Sequence, residues 1–426
     1  MKQTLVIIAF ILFFGPITHA ADNETKILNR FFDPVIVTGG ICGLTGRPLC
    51  NYGLYASTDG HLRPIPFQID EKNRHGDFVL THGNHVFVDE DTAFDDNDEL
   101  VFMAMDAGQK ISGRAQLPVG ISSCAELEIT DPVTREKGWV YLVTGSRLSK
   151  NACLDYVAYD DDGPSFATRN YSGRYHEDHP VGACKYAFEN GVDGNGRNFI
   201  DRIKVRLEMG SMGIMLQRSE ADIKVKELGY IDGPVRVIVY SENLTPLILG
   251  IPASVTRQYT YYYDSYADFA FAASFPLKPS RFRATIIDDF KDARGWVFYT
   301  ADNPGGHIID GRMDGSDEAL NRSPWTWSAL SNGQQCFWSV WTAPPGCPVK
   351  AALYFKDDAA ADDGIESEKG ELPGIGFDFN TGWDRLETDR VEFRLIHFFT
   401  RGYRQGMEKD IRNVFDAPLQ VTSNIR

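Results

Sequence analysis

The chain lacks the short signatures that mark several large enzyme classes. There is no GxSxG, no phosphate-binding P-loop and no GxGxxG entering a helix, so serine-esterase, nucleotide and dinucleotide readings are unsupported. There is no HExxH. None of the seven cysteines stands in a CxxC or CxxCH arrangement, so zinc-ribbon and c-type haem readings fail. Positive charge is scarce: 43 Lys and Arg face 59 Asp and Glu, and the net charge of −16 disfavours nucleic acid and anionic membrane surfaces as partners. No long apolar run follows residue 20, so no membrane span is expected in the mature chain. Helical periodicity is also rare. It is confined to a short amphipathic stretch near the end, roughly Arg404 to Phe415.

The first residues carry an address. Met1-Lys2 is a charged start, Leu5 to Phe14 is an apolar run too short for a comfortable span, and Thr18-His19-Ala20 ends on a small residue. This pattern predicts a signal peptide (residues 1–20) cut after Ala20 and a secreted or periplasmic protein. An oxidising compartment permits disulfides. Local spacing predicts Cys42–Cys50, Cys124–Cys153 and Cys336–Cys347, with Cys184 left over.

What is abundant is strand. Ala125, Leu127 and Ile129 alternate with polar residues, Asp131-Pro132 turns the chain, and Trp139 to Val143 returns it as a hairpin. Ile203, Val205, Leu207 and Met209 alternate with charged residues, and Val391, Phe393, Leu395 and Phe399 make a last strand. The length suits one large β domain or two smaller ones packed together. The expected fold is therefore mostly β: an N-terminal β region over 21–154, then a large antiparallel β-sandwich over 155–426 with a short C-terminal helix. Strand content and length make a galactose-mutarotase-like supersandwich a fitting analogy for the larger part.

The stretch from Glu227 to Phe275 organises the rest. Gly233-Pro234 turns into a buried strand from Val235 to Tyr240. Val255, Arg257, Tyr259, Tyr261 and Tyr263 point to one side of the next strand, and Thr256, Gln258, Thr260, Tyr262 and Asp264 to the other. Phe269, Phe271, Ala273 and Phe275 then share a face opposite Asp268, Ala270 and Ser274. Tyrosine suits both a plain sheet and a sugar face, because it joins β-propensity to a ring with a polar tip. Arg257, Tyr259, Tyr261 and Tyr263 are the candidate ligand-binding set. A buried arginine among them would need a carboxylate partner.

Two acidic loops are candidate cation sites. Asp89 to Glu99 (DEDTAFDDNDE) crowds carboxylates, with Asp95, Asn97 and Glu99 alternating. Asp193-Gly194-Asn195 begins a second loop in which Asp201 falls at position nine. Calcium, which takes six to eight oxygens, is the cofactor such loops would hold, although neither has the full EF-hand spacing and Arg197 replaces one expected ligand. His82-x-x-His85 and His176-x-x-His179 are surface histidines on the simplest reading, and metal ligands only if the fold joins the pairs. His397 reads as a hydrogen-bonded core residue. A lyase on acidic sugars would need a proton-moving residue and an arginine clamp. His176, His179 and Tyr262 are the candidate catalytic residues, with Arg257 and Gln258 beside them.

The sequence thus points to a secreted β-sandwich protein that binds an extracellular ligand, carbohydrate first, with calcium as a candidate stabiliser. A polysaccharide lyase or glycoside hydrolase is the alternative. A structural cell-surface or secretion-partner protein without a small ligand is the third class.

Overall fold

The computed structural model describes residues 25–84, 87, 92–111, 120–146, 148, 154–175, 183–211, 214–246, 252–274, 281–322, 325–361, 370–387 and 389–426. The architecture is almost wholly antiparallel β. Two large sheets, one of ten strands and one of nine, face each other across the main core. The ten-stranded sheet is here called the tyrosine sheet, and its opposite number the facing sheet. At the centre of the tyrosine sheet lie, side by side, Val237–Pro246, Pro252–Tyr262, Tyr266–Ser274, Arg390–Arg401 and Gln335–Thr342. In the facing sheet Asn198–Ser211, Arg281–Phe290, Gly374–Thr381 and Lys350–Lys356 lie side by side, the last at the sheet edge.

The alternation seen in the sequence is what closes this core. Val237, Val239, Tyr262, Phe269, Leu395 and Phe399 point inward from one sheet, against Ile203, Ile286, Leu353 and Phe377 from the other. Each fully buried side chain of this size contributes about 1.5–3 kcal/mol of transfer free energy. Burial of one face by every central strand therefore fixes the register, because a one-residue slip would turn the apolar set to water.

The N-terminal residues build a smaller unit with its own core around Val35, Leu54, Phe94, Leu100, Leu127 and Leu142. The expected hairpin is present: Ile121–Thr130 pairs with Lys137–Gly145. The last strand of the chain, Gln420–Ile425, returns to pair with Ile121–Thr130 and completes a five-stranded sheet there. The helix Met407–Asp416 lies just before it, with Ile411 and Val414 buried against Phe398 and Tyr266. Among the described residues no helix is long and apolar enough to cross a membrane.

The cysteine pairing needs correction. Among the described residues no disulfide is formed; Cys42, Cys50, Cys124, Cys184, Cys336 and Cys347 are thiols, and Cys153 lies outside the described residues. The reason is clearest for Cys336 and Cys347. Cys336 packs on the outer face of the tyrosine sheet with Trp338 and Ile396, whereas Cys347 packs against the main core on the other side. A sheet stands between two residues that are close in sequence, and a disulfide needs β-carbons within about 4.5 Å. Cys42 is buried in the N-terminal core while Cys50 is exposed on a short turn of helix.

Candidate functional site

The outer face of the tyrosine sheet carries a trough of about 520 Å³. Its origin is a size pattern across neighbouring strands. In register, Tyr240 lies beside Tyr259, Tyr259 beside Ala270, and Ala270 beside Arg394. One step along, Glu242 lies beside Arg257, Arg257 beside Ala272, and Ala272 beside Glu392. Ala270 and Ala272 therefore make a low floor. Tyrosine rings and Arg257 form one wall, and Arg394, Glu392, Arg390 and Thr342 form the other. The strand Tyr266–Ser274 is built for this, since it sends Phe269 and Phe271 inward and the two alanines outward. A turn from the N-terminal unit, held by Asn73 N–H donating to Asp77 O at 2.9 Å, brings Asp77 to the rim.

The wall residues differ in how firmly they are held. Arg394 donates through Nε to Asp268 Oδ1 at 3.0 Å and through Nη2 to Asp268 Oδ2, and its guanidinium stacks over Phe415 at 5.3 Å. Burial works against the Arg394 charge, but the fully buried Asp268 more than offsets this and raises its pKa. Arg390 and Glu392 form an exposed pair at 2.7 Å. Arg257 is exposed, and among the described residues it has no carboxylate within salt-bridge distance. The rings of Tyr240 and Tyr259 pack at 4.6 Å, and Phe78 meets Tyr259 edge-on at 5.6 Å. Burial pushes the Tyr259 and Tyr261 hydroxyls well above their ordinary value, so both are neutral at physiological pH.

The buried arginine on this face is not Arg257 but Arg236. Its side chain is 1% exposed and reaches Asp70 at 2.7 Å and Glu99 at 2.5 Å. It also donates to the Tyr263 hydroxyl at 3.2 Å and sits over the rings of Phe78 and Tyr261. Its backbone N–H donates to Gln68 Oε1 at 2.9 Å. Burial lowers the Arg236 pKa, but Tyr263, Asp70 and Glu99 together raise it well above the ordinary value. Tyr263 thus belongs to a buried joint between the N-terminal unit and the tyrosine sheet, not to the trough. In the sequence Arg236 has no tyrosine beside it, only the Gly233-Pro234 turn that feeds its strand.

The remaining candidates fall in separate places. Tyr262 points into the main core on the other side of its sheet from Arg257; it is stacked on Phe166 at 4.0 Å and bonded to the Tyr175 hydroxyl at 2.5 Å. Burial holds its hydroxyl far above the range of a base at neutral pH. His176, His179 and His85 lie outside the described residues, and His82 stacks on Tyr230 at 4.6 Å. His397 is fully buried in the core, with Nε2 3.2 Å from Asp288 Oδ1.

In the first acidic loop, Asp95 Oδ1 accepts the Asn97 N–H at 3.1 Å, and the Asn97 amide donates to Lys72 O and Asn73 O. Asp98 accepts backbone N–H groups of Lys72 and Asp95. Glu99 takes Arg236 and Lys72; burial raises its carboxyl, but the two cations outweigh that and hold it below the ordinary range. In the second loop Asp193 is paired with Arg401 at 3.3 Å and Asn195 Oδ1 accepts from Arg197 N–H at 3.0 Å. Asp201 lies instead beside Asp289 and Glu371, with oxygens within 4.8 Å of one another, and it also pairs with Arg202 at 2.8 Å. Asp289 pairs with Lys204 at 2.8 Å.

No family model matches the chain, and no curated protein matches it in sequence. Among solved structures it is similar to an α-mannosidase from Enterococcus faecalis V583, at 8% identity and a TM-score of 0.47, covering 95% of this chain and 44% of that one. It is also similar to an α-N-acetylgalactosaminidase from Bifidobacterium bifidum, at 13% identity and a TM-score of 0.38, covering 56% of this chain and 36% of that one. The chain thus spans less than half the length of either.

Proposed function

We propose that this is a secreted carbohydrate-binding protein whose ligand lies in the trough on the outer face of the tyrosine sheet. One observation carries the reading: an alanine-floored channel has, on one wall, aromatic rings and an arginine with no carboxylate partner among the described residues. Sugar rings present flat C–H faces that pack on aromatic side chains, while their hydroxyls need planar donors and carboxylate acceptors at the edge. Tyr259 and Tyr261 supply the first, and Arg257 and Asp77 the second. Arg394, held by Asp268, is a donor of fixed direction on the opposite wall, so little of its freedom is lost on binding. The signal peptide expected over residues 1–20 supports this reading, because secreted proteins meet extracellular glycans.

Calorimetric titration of soluble oligosaccharides, neutral and uronate-containing, tests the reading. Binding to the parent is expected, with Arg257→Ala and Tyr259→Ala each weakening it by about tenfold or more, the loss of one anchoring contact. Full-strength binding by both variants would reject the trough as the site.

A further inference from the structure

A second cavity lies on the other side of the same sheet. The inward-facing positions of Val237–Pro246 and Pro252–Tyr262 begin as ordinary core, with Val237, Val239 and Tyr262. Further along they turn polar. Asn243 is the register partner of Thr256, and Thr245 of Ser254, making a two-by-two block of polar side chains inside a sandwich. Asn243, Thr245 and Ser254 are 5%, 3% and 5% exposed. The wall opposite is hydrocarbon: Val205, Leu207, Phe282 and Ala284 from the facing sheet. Between the two walls is a partly open cavity of about 110 Å³.

Polar residues on the inner face of a sandwich cost stability unless their groups are bonded. Part of the block is bonded: Asn243 Nδ2 donates to Gln258 Oε1 at 2.9 Å, and Gln258 Nε2 to Thr260 Oγ1 at 2.8 Å. The chain of bonds stops at Asn243, whose Oδ1 is buried without a partner among the described residues. Asn243 is one of the residues lining the cavity.

We propose that this cavity is a binding site for a small apolar molecule bearing a hydroxyl. The hydrocarbon body lies against Val205, Leu207, Phe282 and Ala284, and the hydroxyl bonds the open edge of the Asn243 amide. A hydroxyl both donates and accepts, so it complements either end of an amide. The size agrees, since an apolar protein cavity of about 150 Å³ holds benzene, and this one is smaller but has a mouth. The site lies on the opposite face of the sheet from the carbohydrate trough, although Phe271, Ala343 and Phe393 border both.

Calorimetry on the full chain with phenol and with toluene tests this. Saturable binding of phenol, about tenfold tighter than toluene, is the expected result for one added hydrogen bond. Asn243→Leu, which keeps the shape and removes the amide, should reverse the preference. Ala284→Leu, which fills the cavity from the other wall, should abolish binding of both. The proposal is overturned if the parent binds neither compound, if it binds both equally, or if either variant binds phenol as the parent does. The comparison of the two ligands on the parent decides the matter even if a variant does not fold.

Discussion

Removing the Arg236 side chain should be among the most damaging single changes in this protein. Arg236→Ala leaves Asp70, whose side chain is 1% exposed, with the Gln68 amide at 2.7 Å as its one remaining side-chain partner among the described residues. Glu99 keeps Lys72 but loses its closer-buried partner. Breaking a buried ion pair from one side costs about 3–5 kcal/mol, because the remaining charge has no compensation. The loss has a pH signature. Burial pushes the Asp70 carboxyl up, and Arg236 is the largest influence pulling it back down. Without Arg236 it rises further. A carboxyl with a higher pKa folded than unfolded binds more protons in the folded state, so acid favours folding. The destabilisation is therefore greatest above the folded pKa and shrinks as pH falls toward the unfolded value of about 3.9. Urea unfolding followed by tryptophan fluorescence at about pH 7.5 and about pH 5 measures both effects. A loss below about 1 kcal/mol at the higher pH, or one that does not shrink in acid, would refute the reasoning, since surface changes alone stay within about 0.5 kcal/mol.

Arg257→Ala should behave in the opposite way, with stability within about 0.5 kcal/mol of the parent in the same urea experiment, because that side chain is exposed. If calcium bridges the carboxylates of the Asp89 to Glu99 loop, of which Asp89, Glu90 and Asp91 lie outside the described residues, chelation at matched ionic strength should lower the melting temperature; an unchanged melt would remove the cation from that loop. Peptide mapping without reduction should give no Cys336–Cys347 link, and finding one would show that the two do not lie on opposite faces of the sheet.

The strands were legible because alternation is local. Ile203 to Met209 and Val391 to Phe399 lie in strands with their apolar faces inward, Val255 to Tyr262 lies in a strand with the expected alternation of faces, and the terminal helix falls within a few residues of its expected place. The aromatic wall of the trough was legible for the same reason. Its floor was signalled too, by phenylalanine alternating with alanine at 269–272, but a small residue marks a channel only when the neighbouring strands are known. Arg394 and Asp77 come from remote segments, and no local pattern brings them to Tyr259. The same limit hid the pairing of Gln420–Ile425 with Ile121–Thr130, and the burial of Arg236 by carboxylates from the N-terminal unit. Cysteine spacing misled because sequence proximity says nothing of the sheet that separates Cys336 from Cys347.

A sugar is expected in the channel over Ala270 and Ala272. Ala272→Trp places a ring on that floor while pointing away from the main core, so the fold should survive the change. Oligosaccharide titration of this variant beside the parent, at equal folded fraction, is the direct measurement. Parent binding with affinity lost by more than about tenfold in Ala272→Trp is the expected result, as for loss of a central anchor contact. Equal affinity in the two proteins would contradict the account.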